Sequence, residues 1–140
     1  MSDRRGAKKP QATVNEFHSS VYKLGEPSEA TIHAQIVEFC HRTLPDGCVF
    51  FHVPNSGFRD GKGMGWLRKA GVVAGVPDLL FFYRGAVLFL EIKSKKGRLN
   101  DAQIALHEKL VDAGFPPIVV RSLDEAQRVV QSFIKDAWKP

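Results

Sequence analysis

Residues 75–98 read GVPDLLFFYRGAVLFLEIKSKKGR, and they constrain the fold of this chain more than any other stretch. Two apolar runs, Leu79–Tyr83 and Ala86–Leu90, flank Arg84-Gly85. Both are rich in aromatic and branched residues that favour strands, with a glycine at the turn between them. The pattern predicts a β-hairpin. Arg-Gly is a weaker turn signal than Asn-Gly, so the turn type stays open. If Tyr83 faces Ala86 across the turn, Asp78 faces Glu91. Opposed residues of an antiparallel pair share one face, with Cβ atoms about 4.5–5.5 Å apart. Lys93 lies two residues beyond Glu91 and shares that face. The open end of the hairpin therefore gathers two carboxylates and an ammonium.

Such a pair is costly without a purpose. Two carboxylates roughly 5 Å apart repel by about 3 kcal/mol at an effective dielectric near 20. A bound divalent cation converts the repulsion into a site, since Mg²⁺ takes one or two carboxylates together with waters and phosphate oxygens. Lys93 alone offsets part of the repulsion, so a surface ion pair at a strand end fits the same spacing.

With 140 residues, 44% hydrophobic and 25% charged, the chain is expected to form one domain with a real core. No apolar run is long enough to span a bilayer. The N-terminus, MSDRRGAKKP, has no apolar signal core behind it, and a cytoplasmic or nucleoid-associated protein is expected. Cys40 and Cys48 lack partners at zinc-finger spacing and read as reduced thiols. The net charge is +5, which suits a polyanionic partner. Arg59, Lys62, Arg68 and Lys69 fall in one glycine-rich segment, and Lys93, Lys95, Lys96 and Arg98 follow the second hairpin strand. A solvated basic face is the plainer alternative.

Residues 1–27 show no period and read as a flexible basic arm, leaving 28–140 as the folded domain. Ser28 looks like an N-cap for a helix from Glu29 to about Arg42, with Ile32, Ile36, Phe39 and Cys40 as its apolar stripe. Glu29 lies on that stripe, where it is either a third metal ligand or an ordinary first-turn acid favoured by the helix dipole. Cys48–Val53 reads as a strand stopped by Pro54-Asn55-Ser56-Gly57. Residues 57–71 hold five glycines and four basic side chains, predicting a loop with a short helix near Met64–Ala70. A basic loop of this kind follows a phosphate backbone. Trp66 is expected to cap the core, with stacking on a base as the alternative. Asn100 and Gln103 form a capping-box pattern for a helix to about Ala113, stopped by Gly114. Pro117–Arg121 is a last strand. A terminal helix opens at Ser122 or Asp124 and presents Leu123, Ala126, Val130 and Phe133. The order implies an α/β fold, a central mixed β-sheet flanked by helices, with the hairpin in the middle because both its strands are apolar on two faces.

Gly75-Val76-Pro77-Asp78, Glu91-Ile92-Lys93, Gly97-Arg98-Leu99 and Ala102-Gln103 together resemble the VRR-NUC family of the PD-(D/E)XK nuclease superfamily. The likeness extends through Phe51-His52-Val53-Pro54-Asn55 and Val119-Val120-Arg121-Ser122-Leu123-Asp124-Glu125-Ala126, roughly residues 28–130. It implies a restriction-endonuclease-like core and a metal-dependent phosphodiesterase acting on DNA. Asp78, Glu91 and the Ile92 carbonyl would hold Mg²⁺, with Mn²⁺ able to substitute, and Glu29 matches the first-helix acid. Lys93 would orient or activate the attacking water, and Gln103 matches a glutamine near the site. Asn55 and Arg98 match positions that contact nucleic acid; from the basic clusters themselves, Arg59, Lys62, Arg68 and Lys95 are expected to join them. Where the family often has a glutamine one turn after the first acid, this chain has His33, an auxiliary contact. Small stand-alone members imply a homodimer acting on branched DNA, such as a Holliday junction. A DNA-binding module with a lapsed active site and an RNA-binding protein of the same fold are the rival readings.

Overall fold

The computed structural model describes residues 25–54 and 64–137. Among the described residues four helices and four strands follow one another in the order expected. They are α1 (Glu29–Thr43), β1 (Val49–His52), α2 (Met64–Lys69), β2 (Leu79–Tyr83), β3 (Ala86–Ile92), α3 (Asp101–Asp112), β4 (Ile118–Val120) and α4 (Leu123–Ala137). Among the described residues the strands form one mixed sheet in the order β1-β2-β3-β4. β1, β2 and β3 run antiparallel in turn, and β4 lies parallel to β3. The parallel pairing follows from α3, which carries the chain back across the sheet between β3 and β4.

The hairpin register is the one that its apolar runs require. Tyr83 pairs with Ala86 and Leu79 with Leu90. Arg84 and Gly85 both sit at positive φ, 48° and 79°, which identifies the two-residue turn as type I′. A non-glycine residue at the first position is tolerated here with the Arg84 guanidinium 5.3 Å from the Tyr83 ring centre.

One face of the sheet holds the core. Leu79, Phe81, Leu88, Leu90, Ile92 and Val120 pack against Ile32, Ile36 and Cys40 of α1 and against Ala126 and Val130 of α4. The apolar stripes of α1 and α4 account for this, because each presents one turn-spaced face. Ser28 caps α1 by accepting the Thr31 amide N–H at 3.1 Å, and Ser122 accepts the Glu125 amide N–H at 3.1 Å at the start of α4. Cys40 is a free thiol pushed up to about 12 by burial, so it stays protonated.

The opposite face is covered less completely. Phe51 and Phe82 stack there with ring centres 5.7 Å apart, and both remain exposed. Trp66 departs from expectation: it is 72% exposed and caps no core. Its helix is only six residues long, too short to present a stripe that could bury an indole.

Candidate active site

Side-chain alternation sets the location of the site. Leu79, Leu90 and Ile92 point into the α1–α4 core, so Asp78, Glu91 and Lys93 point to the other face. The Asp78 carboxylate accepts the Ile92 amide N–H at 2.8 Å, which ties the start of β2 to the end of β3. The Asp78 carbonyl accepts the Val53 amide N–H at 3.0 Å. Lys93 is held in turn by its own amide N–H, which donates to the Val120 carbonyl at 3.0 Å.

Glu91 is 1% exposed and Lys93 8%. Their charged ends lie 3.5 Å apart, and the Glu29 carboxylate, reaching in from the first turn of α1, lies 3.8 Å from the Lys93 ammonium. From the other side α3 delivers Gln103. Its amide Nε2 donates to Glu91 Oε1 at 2.7 Å, while its Oε1 accepts the Asn100 amide N–H at 3.0 Å. The capping box is present, and the same glutamine both caps its helix and grips the buried acid.

Gly75 explains how α3 comes so close. It adopts φ 86°, a conformation suited to glycine. A Cβ at this position would collide with the Ala102 backbone carbonyl and lie 2.8 Å from the Gln103 amide nitrogen. Arg121 fixes the turn that follows Lys93: its Nη1 donates to the Ser94 carbonyl at 2.8 Å and to the Gly97 carbonyl at 2.6 Å.

The surroundings of Glu91 disfavour its charged form. Burial first, and the neighbouring Asp78 charge second, push its carboxyl up to about 8, against the opposing pull of Lys93. Its second oxygen, Oε2, has no hydrogen-bond partner among the described residues. His107 Nε2 lies 3.5 Å from it and likewise has no hydrogen-bond partner among the described residues. Burial, and then the Lys93 charge, hold the His107 pKa below its ordinary value. An unpaired buried carboxylate oxygen beside a second carboxylate is the donor set that a hard divalent ion requires, so the residues present fit such an ion.

The raised pKa has a measurable sign. Unfolded, Glu91 loses its proton near 4.5; folded, it holds it to about 8. Its contribution to stability is therefore complete below about pH 4.5 and is lost as the pH rises through about 8. Denaturant titrations in EDTA are expected to show wild type losing stability relative to Glu91→Gln between pH 5 and 8.5. A wild-type-minus-variant difference that stays level across that range contradicts the assignment.

The predicted residues divide clearly by place. Glu29, Asp78, Glu91, Ile92, Lys93 and Gln103 are brought to one end of the sheet. Lys95 is exposed and pairs with Glu26 at 3.1 Å. Arg68 and Arg98 are exposed. Asn55, Arg59 and Lys62 lie outside the described residues. Two histidines near the site carried no expectation from the sequence. His107 follows Gln103 by four residues on α3, so helical spacing alone places it on the same face. His52 ends β1, and its register partner Leu79 is the neighbour of Asp78. Its Nδ1 lies 2.8 Å from the Asp78 carbonyl, and with His33 and Asp78 it forms a cluster whose ligand atoms all lie within 4.8 Å of one another, close enough to hold a metal ion.

Comparison with known proteins bears on the fold. No protein family's sequence model matches the chain, and no curated protein matches it. A solved structure described as a VRR_NUC domain protein is similar to it, with a TM-score of 0.62 and 21% sequence identity over 79% of this chain and 90% of that one. The two share a fold: the α/β arrangement of a mixed sheet flanked by helices, with a restriction-endonuclease-like core. No helix of the described residues is long and apolar enough to cross a membrane.

Proposed function

We propose that this chain is a metal-dependent nuclease that hydrolyses DNA phosphodiester bonds, selective for branched substrates such as four-way junctions. The observation that carries the reading is the buried Glu91 beside Lys93 and Asp78, with one carboxylate oxygen unpartnered. The similarity to a VRR_NUC domain protein supports it.

Asp78 and Glu91 would hold the ion, Mg²⁺ or Mn²⁺, with the Ile92 carbonyl and Glu29 as further donors. Such an ion neutralises phosphate charge and acidifies water. The chain's own residues do the rest. Gln103 fixes the rotamer of Glu91, and the Ile92 amide fixes that of Asp78, so both acids are preorganised. Lys93 sits in a largely dried position where its ammonium orients the attacking water and stabilises charge building on the phosphate oxygens. The attacking water gives up a proton to solvent as its oxygen forms the new bond to phosphorus, the bond to the departing nucleoside oxygen breaks, and that oxygen takes up a proton from solvent.

Several features support nucleic acid as the substrate. The net charge is +5. α2 presents exposed Trp66 beside Arg68 and Lys69, a combination that stacks a base while pairing with its phosphates. Two copies in a dimer would place two sites against two strands, which suits a junction.

The test is a panel of labelled four-way junction, flap, linear duplex and single-stranded RNA, each with Mg²⁺ and with EDTA. Cleavage of the branched DNAs that stops in EDTA is expected. Junction binding without metal-stimulated cutting would support a binding module with a lapsed site, and preference for RNA would redirect the substrate assignment.

A further inference from the structure

The fold places two imidazoles beside Asp78. His33 follows Glu29 by four residues on α1, so both side chains leave the same face of the helix. His52 arrives from the end of β1. The two rings meet edge to face, with centres 4.7 Å apart and planes at 84°. The ligand atoms of His33, His52 and Asp78 lie within 4.8 Å of one another. Donors around a zinc-like ion at about 2.0–2.2 Å sit roughly 3.3–3.5 Å apart, so closure needs movements of about an ångström.

A second observation points to a ligand. His52 Nδ1 faces the Asp78 carbonyl at 2.8 Å. A carbonyl oxygen only accepts, so the ring proton resides on Nδ1 and the lone pair is on Nε2. This is the support that metal-binding histidines usually have, a backbone carbonyl on the nitrogen that does not coordinate.

We propose that His33, His52 and Asp78 form a binding position for an imidazole-preferring divalent ion, Zn²⁺ or Co²⁺ in preference to Mg²⁺ or Mn²⁺. Imidazole nitrogen suits these ions, whereas Mg²⁺ and Mn²⁺ favour oxygen. Three protein ligands leave a coordination position open, and His52 is exposed while His33 and Asp78 are half-buried, so that position faces solvent and can take a water or a phosphate oxygen. The position shares Asp78 with the cleavage centre proposed above but does not depend on cleavage.

The histidine ring nitrogens of the full chain, observed by NMR, test this without reference to activity. Adding Zn²⁺ is expected to move the Nε2 of His52 and one nitrogen of His33 to metal-bound shifts, with His41 unchanged as an internal control and Mg²⁺ moving none of them. His33→Gln and His52→Gln are each expected to weaken Zn²⁺ binding at least about tenfold, the loss typical even for residues that only support a ligand. Glu91→Gln should keep the shifts. Rings that stay at their metal-free shifts in Zn²⁺, or His33→Gln binding as tightly as wild type, overturn the proposal. A wild-type chain that shows ligated rings but cuts no DNA overturns the cleavage reading alone. One that cuts with unligated rings overturns this site alone.

Discussion

Lys93→Ala is expected to slow DNA cleavage by about a hundredfold to a thousandfold, or roughly 3–4 kcal/mol of transition-state stabilisation. The reason lies in where the ammonium sits. It is 8% exposed, 3.5 Å from Glu91 and 3.8 Å from Glu29. A cation in so dry a position interacts with a developing phosphate charge far more strongly than one in water does. Removing it leaves Glu91 buried without its cation, but that acid already leans toward its protonated form and can neutralise itself. The fold should survive, which circular dichroism checks. Lys93→Met, which keeps most of the stem, should lose as much activity as the alanine variant. Wild-type rates from folded Lys93→Ala would remove the lysine from the chemistry.

Gly75→Ala is expected to have the largest effect on stability. Two penalties combine at this one position. The backbone is at φ 86°, which costs a residue with a side chain about 1–2 kcal/mol. The new methyl would also run into the Ala102 carbonyl, and backbone can yield only by moving the start of α3. Overpacking of that kind typically adds about 1–3 kcal/mol. Together these predict a loss of about 2–5 kcal/mol and a melting temperature lower by roughly 6–20 °C. Any folded variant should also lose cleavage, because a displaced α3 carries Gln103 away from Glu91. Gly85→Ala is the useful contrast: its φ is 79°, but a Cβ there meets nothing within 4 Å. It should lose only the conformational part. Equal melting temperatures for the two variants would mean that the Gly75 contact does not matter.

How much of this was legible before the structure depends on whether local spacing or distant pairing decided it. The hairpin could be read because its register follows from two apolar runs and a turn, so Asp78 and Glu91 could be set opposite each other by counting outward from Arg84-Gly85. The capping box of Asn100 and Gln103 is equally local. Its second role was not, since the reach of Gln103 to Glu91 depends on Gly75 admitting α3 at close range. The His33–His52–Asp78 cluster needed the pairing of β1 with β2, a contact between segments 26 residues apart in the chain. No period in the sequence announces that pairing. Trp66 went the other way: a large indole suggests a core even in a glycine-rich basic segment, but a six-residue helix offers it no surface to cover. Arg121 was noted as part of a resemblance, and its physical task, holding the carbonyls of the turn after Lys93, depends on the parallel placement of β4 beside β3.

The central claim is that the acids flanking the hairpin share an ion. Crystals soaked in Mn²⁺ and measured at the manganese absorption edge test it most directly. An anomalous peak within about 2.3 Å of carboxylate oxygens from both Asp78 and Glu91 is the expected result. Glu91 free of any peak, at a manganese concentration that fills other sites, would contradict it.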